Sequence, residues 1–175
     1  MNTKNLVLMA LLVGIGATLY VIIPGFNGGM KPDFMLTMMF IGIVLFPTFK
    51  ETFLLSLATG VLSGLFSTFP GGFVPNIIDK AVTGFIFLII VLILRHAVQK
   101  TAVNIGLVAV GTIISGSTFL AMALLLTEVP INFSVLFATV VLPATALNTI
   151  AFLIIFPIIC KLLKRSNFKT SVSHA

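Results

Sequence analysis

Residues 77–94 read IIDKAVTGFIFLIIVLIL, a stretch with two charges at its start and none from Ala81 to Leu94. A helix crossing the hydrocarbon core of a bilayer needs about 20 predominantly apolar residues, and this run supplies nearly that many. There is no strand-type alternation along it, so a helix accounts for it better than a barrel strand. Working outward in both directions, the chain holds five more apolar runs. The spans expected are Leu6–Ile23, Phe34–Phe46, Thr52–Phe69, Ile77–Leu94, Val103–Thr127 and Val135–Cys160, with a basic tail at 161–175. The second is short and stops at Pro47, so it either continues into Pro47–Glu51 or is shielded from lipid by its neighbours.

Composition agrees with these runs. Of 175 residues 59% are hydrophobic and 8% charged, against about 25% charged in an average soluble domain. Mean hydropathy is +1.25. The fold class expected is an all-α integral membrane protein of six transmembrane helices in one membrane domain. The first run exceeds the usual length of a signal-peptide core and no A-x-A-like cleavage site follows it, so it reads as a retained helix.

Charge sets the orientation. With the N-terminus inside, cytoplasmic segments hold Lys4, Lys50, Arg95, Lys100, Lys161, Lys164, Arg165 and Lys169, while outer loops hold only Lys31 and Lys80. That bias places both termini in the cytoplasm. The net charge of +6 is therefore an orientation signal, and nucleic acid is not an expected partner. The acids run the other way: Asp33, Asp79 and Glu128 lie at outer loops and Glu51 inside.

Catalysis is not expected. The chain has no G-x-x-x-x-G-K-[ST] and no H-E-x-x-H, and Gly60-Val61-Leu62-Ser63-Gly64 lacks nucleophile-elbow spacing. His96 and His174 fall in a loop and the tail, and the single cysteine, Cys160, excludes an internal disulfide. No cofactor and no metal are expected.

The outer side carries the unusual chemistry. Two loops there are rich in turn formers and polar residues, Pro24 to Asp33 and Phe69 to Asn76. Asp33 can N-cap the second helix, and Asn76 and Asp79 can cap the fourth in a box-like arrangement, with Lys80 snorkelling at the rim. The same groups can instead meet a ligand. The carboxylates Asp33 and Asp79, the cations Lys31 and Lys80, the amides Asn27 and Asn76, and apolar walls from Phe26, Met30, Phe69 and Phe73 suit a small zwitterion with an apolar body. Within the spans, Ser115 and Thr118 of the fifth helix and Asn148 of the sixth, beyond a kink expected at Pro143, are polar groups that need a partner in lipid. Each serves either an interhelical bond or a ligand. A pocket lined by aromatic residues and methionine is expected for the apolar body.

Small residues mark close helix approaches. Ala10, Gly14 and Ala17 share one face of the first helix, either as internal packing or as a docking surface for a separate membrane subunit. Ser56, Gly60, Ser63, Gly64 and Ser67 form a second stripe, expected to pack inside the bundle.

Met30-Lys31-Pro32-Asp33, Phe40-Ile41-Gly42-Ile43 to Phe46-Pro47, Phe69-Pro70-Gly71-Gly72, Pro75-Asn76-Ile77-Ile78-Asp79-Lys80 and Leu142 to Ile150 resemble the tryptophan transport protein family of Gram-positive bacteria. The resemblance runs from about Lys4 to Phe168, and the Pro-Asn-x-x-Asp-Lys segment is its most specific piece. That family is similar to the substrate-binding (S) components of energy-coupling factor (ECF) transporters. The resemblance implies L-tryptophan as substrate, a transmembrane T subunit and two ATPase subunits as partners, and the bacterial plasma membrane as location. It also implies docking through an Ala-x-x-x-Ala motif, where this chain has Ala10-x-x-x-Gly14. Two other readings stand beside it: a self-sufficient ion-coupled secondary carrier, and a structural or assembly protein of the membrane. The carrier reading expects an acidic residue deep in a span, and the sequence places Asp33 and Asp79 at helix ends.

Overall fold

The computed structural model describes residues 3–25, 31–126 and 132–165, and all regular structure among them is helical. Phe26, Asn27, Met30, Glu128, Lys169 and His174 lie outside the described residues. The helices are α1 (Thr3–Ile22), α2 (Phe34–Leu45), α3 (Phe49–Leu65), α4 (Phe73–Ile93), α5 (Thr101–Leu126) and α6 (Phe133–Arg165). Four of them, α1, α4, α5 and α6, are long and apolar enough to cross a membrane. Large apolar side chains such as Leu11, Ile15, Ile93, Leu125 and Ile154 are exposed. A surface of that kind is stable against lipid and costly against water.

The central element is α2. At 12 residues it extends about 18 Å, well short of the roughly 30 Å hydrocarbon core. Every one of its residues is buried, because α1, α3, α4, α5 and α6 all touch it. Its short apolar run is thus the core of the bundle, and protein takes the place of lipid around it. It stops at Leu45; Pro47 cannot continue it, and Thr48 accepts the Glu51 N–H to start α3.

Helices α3 and α4 run closest together. Gly60 and Gly64 of α3 lie against the backbone of Ile77 and Phe73, so near that a Cβ at Gly64 would sit 2.9 Å from the Phe73 carbonyl oxygen. The connection between them is a tight turn over Phe69–Gly72, closed by the Gly72 N–H to the Phe69 carbonyl at 2.9 Å. Pro70 pre-sets the first central position and Gly71, at φ 70°, takes the second, as a type II turn requires.

In α6 the π-helical stretch Phe137–Val141 precedes Pro143. Pro143 has no N–H for the carbonyl four residues back and its ring crowds that carbonyl, so a widened turn relieves the clash. The irregularity is therefore a π turn ahead of the proline, where a kink at the proline was expected.

Candidate functional site

At the end of the bundle where α1 and α3 finish and α2 and α4 begin, the helices diverge around a cavity of about 750 Å³. The first polar element comes from α4. Asn76, Asp79, Lys80 and Thr83 follow i, i+3, i+4, i+7, so they share one face, and that face is buried.

Asp79 is 1% exposed, and both of its oxygens are occupied. Thr83 Oγ1 donates to Oδ1 at 2.9 Å; Ser115 Oγ at 2.9 Å and Lys80 Nζ at 2.8 Å donate to Oδ2. Lys80 Nζ also reaches Asp33 Oδ2 at 3.0 Å and Ser115 Oγ at 3.3 Å. An ammonium has three N–H donors, and these three acceptors use all of them. The result ties the start of α2 to α4 through an ion pair, and α4 to α5 through hydrogen bonds to Ser115.

Asp33 does two jobs. Its Oδ1 caps α2 by accepting the Leu36 N–H at 2.9 Å, while Oδ2 takes Lys80. Its own backbone N–H donates to Asn148 Oδ1 of α6 at 2.7 Å, and Asn148 Nδ2 reaches Thr112 Oγ1 of α5 at 3.4 Å. Lys31 stands apart from this network: its Nζ donates to the Tyr20 carbonyl at 2.7 Å and lies 3.7 Å from the Tyr20 ring centroid. The apolar walls include Tyr20, Phe69 and Phe119, the last two edge to face with centroids 5.4 Å apart, together with Leu36, Val140 and Leu147.

Seven of the polar residues singled out in the sequence line this one cavity: Lys31, Asp33, Asn76, Asp79, Lys80, Ser115 and Asn148. Thr118 does not. The face of α5 turned to the cavity carries Thr112, Ser115, Gly116 and Phe119, and Thr118 is rotated off it. No described methionine lines the cavity either; Met35, Met38 and Met39 are core residues of α2. Tyr20, Thr112 and Phe119 were not singled out beforehand. Thr112 lies one turn before Ser115, a spacing that offered the signal.

The capping role expected for Asn76 and Asp79 is overturned. Helix α4 begins at Phe73, its N-cap is Gly72 without a side-chain bond, and Asn76 Nδ2 instead donates back to the Gly72 carbonyl at 2.7 Å. Asp79 therefore lies about 9 Å along the helix from its first residue, at 1.5 Å per residue. Lys80 is buried rather than snorkelling. The placement of Asp79 at a helix end, which told against an ion-coupled carrier, is overturned with it. Among the described residues, no three His, Cys, Asp or Glu side chains come together as a metal site would require.

The small face of α1 points away from the cavity. Ala10 and Gly14 are exposed and Ala17 is half-buried, and nothing lies within 4 Å of where a Gly14 Cβ would stand. A shallow groove of about 330 Å³ runs over Ala10, Gly14 and Thr18. The internal face of α1 is Met9, Leu12, Val13 and Gly16.

Residues 2–164 match the family described as tryptophan transporter TrpP. The chain is 51% identical over 168 residues to a probable tryptophan transport protein of Bacillus subtilis, covering 96% of this chain and 97% of that one. It is 42% identical over 156 residues to a protein of the same description from Clostridium acetobutylicum, covering 89% and 91%. A third, from Clostridium perfringens, is 40% identical over 176 residues, covering 95% and 96%. No solved structure matches the chain.

Proposed function

Because the chain belongs to the tryptophan transporter TrpP family, a family of multi-pass membrane transport proteins, we propose that its cavity binds L-tryptophan for uptake into the cell. The observation that carries this reading is the cavity itself. Its size falls in the roughly 300–1,000 Å³ range of small-molecule sites, and it combines aromatic walls with charges of both signs. In this proposal the cavity end faces the outside of the bacterial plasma membrane, with six spans and both termini in the cytoplasm; the excess of Lys and Arg in the opposite loops supports that orientation.

Uptake against a gradient needs a source of free energy, and the sequence holds no P-loop. In this proposal the chain is the substrate-binding subunit of an ECF-type importer, and a T subunit with two ATPases supplies the drive. The exposed Ala10 and Gly14 support this, because small residues on a free helix face allow a second membrane helix to come close.

One observation favours a second reading. Asp79 and Lys80 are buried charges inside a membrane helix, of the kind ion-coupled carriers use. Uptake by vesicles containing this chain alone separates the two: the importer reading expects none without the ATPases.

Ligand binding is tested with the purified chain in detergent. The protein contains no tryptophan, so the change in L-tryptophan emission on moving from water into the cavity is read without any protein tryptophan signal. Absence of saturable binding refutes the assignment of the cavity. With Ala10→Leu and Gly14→Leu together, binding should persist while uptake and co-purification of a T subunit are lost. Normal uptake by that double variant removes α1 as the docking face.

A further inference from the structure

The cavity holds two carboxylates and two ammonium groups, unevenly paired. Asp33 and Asp79 bring two negative charges to Lys80, which brings one positive. Around Lys80 there is therefore one more carboxylate than cation, with Asp79 buried and Asp33 open to the cavity. Among the described residues Lys31, the other cation of the cavity, forms no direct ion pair and is held at Tyr20.

The two carboxylates are not equivalent. Asp79 accepts from three protein donors, and its side chain, 1% exposed, is nearly closed off from the cavity's open space. The Asp33 side chain is 30% exposed, lines the cavity, and among the described residues meets the Leu36 N–H and Lys80. A carboxylate offers about four lone-pair positions, so Asp33 has acceptor capacity left. Its place is fixed on both sides, by its own cap bond and by Asn148 holding its backbone N–H.

We propose that Asp33 is the receptor for the substrate's ammonium group and decides that the transported molecule is an amine, while Asp79 is a positioning residue that holds Lys80 beneath it. This rests on the reading of the cavity as a tryptophan site. The bound ammonium gives Asp33 a second cationic partner beside Lys80 and fills its remaining acceptor positions. Lys31, on the same loop end and with ammonium donors beyond the one given to Tyr20, is then the nearest available cation for the substrate's carboxylate.

The test is a ligand panel against a substitution that keeps the local fold. Asp33→Asn retains an N-cap acceptor for Leu36, since asparagine caps as well as aspartate; it removes the charge and replaces the Lys80 acceptor with an amide NH2, a change common to all three ligands. L-tryptophan, tryptamine (no carboxylate) and indole-3-propionate (no ammonium) are each measured by direct binding to the purified chain. Asp33→Asn should weaken L-tryptophan and tryptamine at least tenfold, and indole-3-propionate less than twofold. Lys31→Gln should weaken L-tryptophan and indole-3-propionate and spare tryptamine. If Asp33→Asn weakens all three ligands equally, Asp33 is only a structural cap and the proposal is overturned. If Asp79→Asn gives the amine-selective pattern and Asp33→Asn does not, the receptor is Asp79 and the assignment is likewise overturned. If wild type binds L-tryptophan but Asp33→Asn leaves it unchanged, the ammonium assignment fails while the tryptophan reading stands. A wild-type chain that binds none of the three overturns both.

Discussion

Lys80→Met should be among the most damaging single substitutions in the chain. The Lys80 ammonium sits 3.0 Å from Asp33 Oδ2 and 2.8 Å from Asp79 Oδ2, and its side chain is 4% exposed. Methionine replaces the stem but not the charge, so two carboxylates are left facing each other. Breaking a buried pair by removing one partner costs about 3–5 kcal/mol. Stranding two acceptors rather than one puts this case at the upper end. At about 2–4 °C per kcal/mol for a chain of this length, the melting temperature should fall by roughly 10–20 °C. Unfolding can be followed with a thiol-reactive dye, because Cys160 is the single cysteine. The control is Asp79→Leu combined with Lys80→Met, which removes a complete ion pair. Thr83 and Ser115 then lose an acceptor, and a helical hydroxyl can turn to a carbonyl of its own preceding turn; Asp33 loses Lys80 but keeps its cap bond and is 30% exposed, so it no longer faces a second buried carboxylate. Removing a whole buried pair is often neutral, so the double variant should melt well above Lys80→Met alone. A Lys80→Met protein that melts within about 2 °C of wild type refutes the reasoning. So does a double variant whose loss equals the sum of the two singles, which would mean no coupling.

Asn148→Leu strands the Asp33 N–H and the Thr112 hydroxyl, so it should cost about 1–3 kcal/mol by thermal unfolding. Because that amide is engaged with protein, it should weaken L-tryptophan and N1-methyl-tryptophan alike; selective loss of L-tryptophan would place the indole N–H at Asn148. Ser56 Oγ is buried without a hydrogen-bond partner, so Ser56→Ala should leave the melting temperature unchanged or raise it, and a clear drop would reveal an unseen bond. Gly64→Ala forces a methyl against the Phe73 backbone and should cost about 1–3 kcal/mol, checked by the same melting assay. Gly14→Ala, with open space at its Cβ, should not destabilise the fold.

The sequence alone determined the solvent and the class of structure. Apolar runs with so few charges can only be stabilised as helices in lipid, because lipid offers no partner for a free backbone group. Part of the expected small-residue stripe was also legible: Gly60 and Gly64 leave room for the backbone of α4, whereas Ser63 and Ser67 line the cavity. The polar residues of the cavity were nameable because each is costly in a membrane and therefore conspicuous.

Only the tertiary structure decided what those residues do. Helix α4 was expected to begin at Ile77, after Pro75, whereas it begins at Phe73. A proline is tolerated in a first turn, where the backbone N–H groups have no intrahelical acceptor in any case. That shift of about one turn moves Asp79 and Lys80 from a rim into the interior and turns a cap into a buried ion pair. Thr118 was grouped with Ser115 by periodicity, yet periodicity gives faces without saying which face a neighbour leaves open. The short run of α2 made sense only once five helices were seen around it. The bond from Asp33 to Asn148 joins residues 115 apart in sequence. No local pattern encodes such a contact, because its stability comes from helices that meet only when the whole bundle has packed.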